Sequence, residues 1–100
     1  MGQPYTLGNW VAKPGREEEF VAAWRELADW TTREIGGSSS AKLLRDMADP
    51  SRFVSFGPWD SLEAIDAWRA LPGFRERVSG IREFLESFEP ITLELVAKVG

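Results

Sequence analysis

The side chains able to do chemistry in this chain are few, and two of the commonest are missing. Its 100 residues contain neither histidine nor cysteine. Thiolate nucleophiles, disulfides and Ser-His hydrolysis are therefore excluded, and zinc and haem lose their commonest ligand. No pair of carboxylates stands out as a general acid–base couple, and neither a P-loop nor a G-x-G-x-x-G run is present. What the chain has instead is aromatic side chains. Five tryptophans and six phenylalanines exceed what packing a small domain needs, and point to an aromatic pocket or a sizeable interface.

Each candidate has a functional and a structural reading. Trp68 sits on the apolar face of the second helical segment, just before Pro72-Gly73. It is either a pocket wall, with its N–H free to bond a substrate oxygen, or ordinary core. Asn9 shares strand parity with Tyr5, Leu7 and Val11, the more apolar side, which is expected to face the helices. An amide there needs partners, either a bound molecule at a pocket floor or neighbouring backbone. Trp59 marks a strand end and reads as a corner; Trp24 belongs to a core stripe. Trp30 lies at the edge of that stripe, at a pocket mouth or under a loop. Arg45 has the charge to steady a phenolate or peroxide anion, and Ser55, among Phe53, Val54 and Phe56, leaves room for a ligand or is simple alternation. The Arg/Glu-rich set Arg75, Glu76, Arg77, Arg82, Glu83 and Glu86 reads as solvated helix surface.

The elements that must position these residues follow from periodicity. Tyr5–Ala12 alternates as a strand and stops at Lys13-Pro14-Gly15. Glu17, Glu18 and Glu19 suit a first helical turn, and Phe20, Trp24, Leu27, Ala28, Thr31 and Ile35 form one stripe as far as a Gly36-Gly37 cap and a Ser38–Ser40 loop. Ala41–Met47 and Arg52–Pro58 read as an antiparallel hairpin around Ala48-Asp49-Pro50-Ser51. Asp60 and Glu63 form a D-x-x-E capping box for a helix carrying Ala64, Ile65, Trp68 and Leu71. After Pro72-Gly73 the spacing of Phe74, Val78, Ile81, Leu85 and Phe88 predicts continued helix to Glu89-Pro90, and Ile91–Val99 predicts a last strand.

The order β-α-β-β-α-β is the split βαβ, an α+β, ferredoxin-like arrangement in a single domain spanning residues 1–100, with an antiparallel sheet and helices on one face. The uncovered face is expected to carry Thr6, Trp10 and Ala12 with Val54, Phe56 or Val96 according to register. A second copy packed sheet to sheet is the simplest cover. The net charge of −4 provides no basic stripe for nucleic acid or an anionic membrane. No segment reads as a membrane span or signal-peptide core, and a cytoplasmic location is expected.

These residues resemble the antibiotic biosynthesis monooxygenase family of dimeric α+β-barrel proteins. The likeness lies in VAKPGREEEFVAAW at the first strand-to-helix junction, in LLRDMADPSRFVSFGPWDSLEAIDAW across the hairpin and second helix, and in ITLELV near the end. The V-x-K-P-G-x-E-x-x-F and F-x-x-W-x-S-x-E-A-x-x-A-W patterns carry it. The resemblance implies a cofactor-independent monooxygenase that oxidises a small aromatic of phenol, anthrone or quinol type with dioxygen, without metal, flavin or haem. It implies catalytic roles for Asn9 and Trp68, substrate contacts from Trp59, Trp30, Arg45 and Ser55, and a homodimer. A haem-degrading branch shares Asn9 and Trp68 but places a histidine ten residues after that tryptophan, where this chain has Val78. Quinol-oxidising and stress-type members are not separated by these motifs. A non-catalytic or cyclase-like small-molecule binder on the same dimeric fold is the alternative.

Overall fold

A computed structural model describes residues 2–35 and 40–100. The expected Gly36-Gly37 cap, with Ser38 and Ser39 of the expected loop, lies outside the described residues. The chain runs β1 (Pro4–Ala12), α1 (Glu17–Ile35), β2 (Lys42–Arg45), β3 (Arg52–Pro58), α2 (Leu62–Ala70), α3 (Pro72–Arg82) and β4 (Leu85–Glu94). The four strands form one antiparallel sheet in the order β2-β3-β1-β4, with the helices on one face. This is the ferredoxin-like arrangement, with its second helix broken in two.

Local chemistry explains the joints. Gly15, at φ +85°, makes the turn out of β1 in a conformation that favours glycine. Three glutamates then occupy the positive end of α1. The α2 cap falls one residue later than the D-x-x-E pattern suggests: Ser61, not Asp60, is the N-cap, and its hydroxyl accepts from the Ala64 N–H at 3.1 Å. Leu71 ends α2 in an extended conformation because Pro72 follows, and Pro72 then opens α3 where its missing N–H costs nothing.

The last third of the chain departs from the helical reading. α3 ends at Arg82, and Leu85 and Phe88 belong to β4. Ala12 pairs with Leu85 but Val11 pairs with Ser87, so Glu86 is an extra residue in a β-bulge. The bulge turns Leu85 and Phe88 to the same face of the sheet at a spacing of three, which imitates a helical seam. Pro90 does not end a helix; it sits within β4, a sheet edge, where proline is tolerated. The strand closes at Glu94, with Leu95 N–H donating to Gln3 C=O at 2.9 Å, so the expected strand to Val99 stops short.

The parity of β1 is also reversed. Trp10 and Ala12 are 4% and 0% exposed and join Phe20, Leu27, Phe53, Val78, Ile81 and Leu85 in the core. Trp10, Phe53 and Phe88 are directly paired positions across three strands, so all three face the helices. Tyr5, Leu7, Asn9 and Val11 therefore lie on the uncovered face, beside Val54, Phe56, Ile91 and the exposed Leu44 and Leu93. Both faces of the sheet are thus apolar.

Candidate functional site

A cavity of about 260 Å³ lies between the inner face of the sheet and the three helices. Trp10, Trp24, Trp59 and Trp68 line it together with Phe74 and Phe88, and Leu27, Ala28, Val78 and Pro90 fill in between. A volume just below the ~300–1,000 Å³ range of drug-sized pockets suits a small planar molecule.

Three of the four tryptophans are held in place by hydrogen bonds that use up their indole N–H groups. The Trp10 indole N–H donates to Ser55 Oγ at 2.9 Å, and its ring stacks on Phe88 with centroids 3.9 Å apart. Gly8 makes room for this pair: a Cβ there would lie 2.7 Å from Trp10 Nε1 and 3.0 Å from Ser55 Oγ. Trp59 donates to Thr6 Oγ1 at 3.0 Å. Trp68 donates to Thr31 Oγ1 at 2.9 Å, and that hydroxyl donates in turn to Leu27 C=O at 2.8 Å. Trp68 is tilted against Trp59 at 4.8 Å and meets Phe74 edge-on at 4.5 Å. The wall is therefore a fixed aromatic lattice, with contacts worth ~0.5–1.5 kcal/mol each beyond their burial.

The electrostatics of the lining are one-sided. Among the described residues it contains no Asp, Glu, Lys or Tyr, and with no histidine or cysteine in the chain it offers no side chain able to act as a general base. Its polar groups are hydroxyls, backbone and two arginines, Arg69 and Arg82. The perturbed carboxylates lie elsewhere. Glu17, at the start of α1, is held below the usual carboxylate range chiefly by the Ser51 hydroxyl, which donates to it at 2.7 Å, and Glu19 likewise by Arg16.

The structure brings together Trp59, Trp68 and Ser55 of the six candidates, and adds Trp24. Trp68 reaches the cavity with its ring, while its N–H, expected to be free, is bonded to Thr31. Asn9 is not at the cavity floor. It lies on the opposite face of the sheet, between Val54 and Glu89, because β1 has the reverse parity. Trp30 packs along the α1–α3 contact rather than at a pocket mouth: Arg77 lies 4.4 Å over its ring, and a Cβ on Gly73 would come within 2.5 Å of it. Arg45 pairs with Glu18 at 2.6 Å and borders a separate groove with Val21, Trp24, Arg25, Leu43 and Phe53. Sequence reasoning missed Trp10, Thr31, Phe88 and Arg69 as cavity residues and assigned Arg82 to plain surface. Thr31 and Arg82 left a signal: Thr31 shares the α1 stripe with Trp24 and Ala28, and Arg82 stands four residues after Val78 and eight after Phe74 on one helical stripe.

The sequence profile of the antibiotic biosynthesis monooxygenase family matches residues 7–79. The chain belongs to that family. No curated protein sequence matches it significantly. Among solved structures it is similar to SnoaB, a cofactor-independent oxygenase from Streptomyces nogalater, at 18% identity and a TM-score of 0.89 over 99% of this chain and 98% of that one. It is also similar to antibiotic biosynthesis monooxygenase-type proteins of Chloroflexus aurantiacus (23% identity, 98% and 97% covered, TM-score 0.79) and Deinococcus radiodurans (18%, 97% and 96%, 0.84). At these identities the likeness establishes the fold. Val78, ten residues after Trp68, is buried and lines the cavity. No described helix is long and apolar enough to cross a membrane.

Proposed function

We propose that this family member is a cofactor-independent monooxygenase that oxidises a small, electron-rich aromatic with dioxygen. The observation that carries this reading is the cavity itself: four tryptophans and three phenylalanines around about 260 Å³, with no acid–base side chain in the described lining. Such a site binds, flattens and desolvates a planar ring, and leaves the redox chemistry to the ring. For an anthrone, loss of a proton gives an anion that reduces dioxygen. A carbon–oxygen bond forms to give a hydroperoxide, and its O–O bond then breaks. One oxygen stays as the new carbonyl and the other leaves as water, so the substrate supplies all four electrons.

A homodimer through the uncovered sheet face completes this reading. Leu7, Val54, Phe56, Leu93 and Leu44 form an apolar sheet surface of the kind that a second copy covers. Asn9 then lies near the centre of the interface, on the central strand β1, as an interface amide rather than a catalytic one. Sedimentation of Phe56→Glu tests this; a dimer unchanged by that substitution sinks the sheet-to-sheet arrangement.

The function is tested by oxygen uptake in chelated buffer with anthrone, 1-naphthol and hydroquinones. Uptake above the protein-free rate is expected for at least one of them, with a loss of about tenfold or more, ~1.4 kcal/mol of barrier, in Ala28→Phe, which fills the cavity. A folded Ala28→Phe with undiminished turnover would overturn the assignment of the site. Binding without uptake by any of them would favour the non-catalytic binder.

A further inference from the structure

We propose that the Thr6 and Ser55 hydroxyls form a donor pair that holds the oxygen of the substrate's ring and favours its anionic form. The inference rests on the reading of the cavity as an aromatic substrate's site and says which end of that substrate meets the sheet. Thr6 on β1 and Ser55 on β3 both line the cavity. Thr6 pairs with Gly57 and Gly8 with Ser55, so the two hydroxyls occupy one diagonal of a four-residue block whose other corners are glycines. Diagonal neighbours of this kind lie about 7–8 Å apart. Two O–H···O bonds of about 2.7–2.8 Å to one oxygen, with the reach of the side chains, can cover that span.

What sets these two hydroxyls apart is the direction of their hydrogen bonds. Thr31 and Thr32, which also line the cavity, donate their protons to the Leu27 and Ala28 carbonyls one turn back in α1, at 2.8 and 3.0 Å. Thr6 and Ser55 instead accept, from the indole N–H groups of Trp59 at 3.0 Å and Trp10 at 2.9 Å, and neither donates to an acceptor among the described residues. A hydroxyl carries one proton of its own, so both protons are left over beside the cavity. Accepting an indole N–H polarises the O–H and strengthens it as a donor. A leftover donor in a mostly aromatic pocket selects an acceptor, and an electron-rich ring brings one, its phenolic or enolic oxygen. The bond is stronger to the charged oxygen than to the neutral one, so the pair stabilises the anion that reacts with dioxygen. Neither hydroxyl takes the substrate's proton, which leaves to water; the two O–H groups hydrogen-bond the oxygen that remains.

Fluorine NMR of bound 2,6-difluorophenol, titrated under nitrogen, reads the ionisation of the ring oxygen directly. The wild-type protein is expected to bind its anion about tenfold more tightly than 1,3-difluorobenzene, which lacks the oxygen. The pKa of the bound phenol is expected to rise by about one unit, a tenfold loss of preference for the anion, in Thr6→Val and in Ser55→Ala, and to keep its wild-type value in Thr6→Ser. A loosened tryptophan alone would weaken both compounds equally and leave the bound pKa unmoved. That result in a folded variant of either residue would overturn the inference while leaving the aromatic cavity intact. Equal wild-type affinities for the anion and for difluorobenzene would do the same without any variant, should Ser55→Ala fail to fold. Binding of neither compound to the wild type would overturn both readings.

Discussion

The Trp68 indole N–H donates to the Thr31 hydroxyl at 2.9 Å, and that hydroxyl donates back to Leu27 in its own helix, so the wall of α2 is bolted to α1 through one oxygen. Trp68 and Thr31 both line the cavity, which makes this bond a positioning device for the ring. The alternative, that the N–H serves the substrate, predicts the opposite response to removing its partner.

Thr31→Val keeps the shape and removes the acceptor, whereas Trp68→Phe removes the donor and shortens the ring. If the bond positions the wall, both weaken binding of a neutral naphthol, Thr31→Val lowers stability by about 1–3 kcal/mol through an orphaned N–H, and the two effects on binding are not additive. If the N–H serves the substrate, Thr31→Val frees it and tightens binding. Titration and thermal melts of the two single variants and the double variant distinguish these cases.

Ser55 is the acceptor for a nearly buried indole, that of Trp10, which stacks on Phe88 and joins β3, β1 and β4 across the inner sheet face. Ser55→Ala leaves that N–H without a partner and is expected to cost about 1–3 kcal/mol. Ser55→Thr retains the acceptor but adds a methyl group where Gly8 and Trp10 are already close. Asn9→Ala, on the other face, should leave naphthol binding within about twofold, since one kcal/mol would be needed to shift it about fivefold. A larger loss in a folded, dimeric Asn9→Ala would return that amide to the site.

These two cases also show what the sequence could and could not reveal. The strand and helix order and the Pro72-Gly73 break are local signals, and each has a structural counterpart, while Trp59 and Ser55 stand in the cavity lining. The facing of Asn9 and Trp10 was not legible because both sheet faces are apolar, so alternation identifies a strand without saying which side is inside. Leu85 and Phe88 were misplaced because a bulge at Glu86 gives a strand the spacing of a helix. Arg69 was hidden because a charge on a helix looks the same from sequence whether it faces solvent or a pocket mouth.

Acid sensitivity should come partly from the start of α1. The Ser51 hydroxyl holds Glu17 below the usual carboxylate range. A depressed folded-state value means that the contribution is present above the unfolded carboxylate pKa and is lost as the pH falls through the folded one. Glu17→Gln is expected to flatten the acid limb of a stability–pH curve below about pH 5 and to leave neutral-pH binding unchanged. An unchanged acid limb would mean that other carboxylates account for it.

The strongest test of the chemistry is its dependence on pH. The described lining contains no side chain that titrates between about pH 5 and 9, since hydroxyls and arginines do not lose protons there. The proton that leaves before dioxygen reacts must therefore go to water or hydroxide at the cavity mouth. The pH profile of kcat/KM should accordingly rise with the ionisation of the free substrate. Two hydroquinones or naphthols whose own pKa values differ by about two units should give profiles displaced by about the same amount. A single inflection shared by substrates of different acidity would instead point to a protein base and overturn this reading.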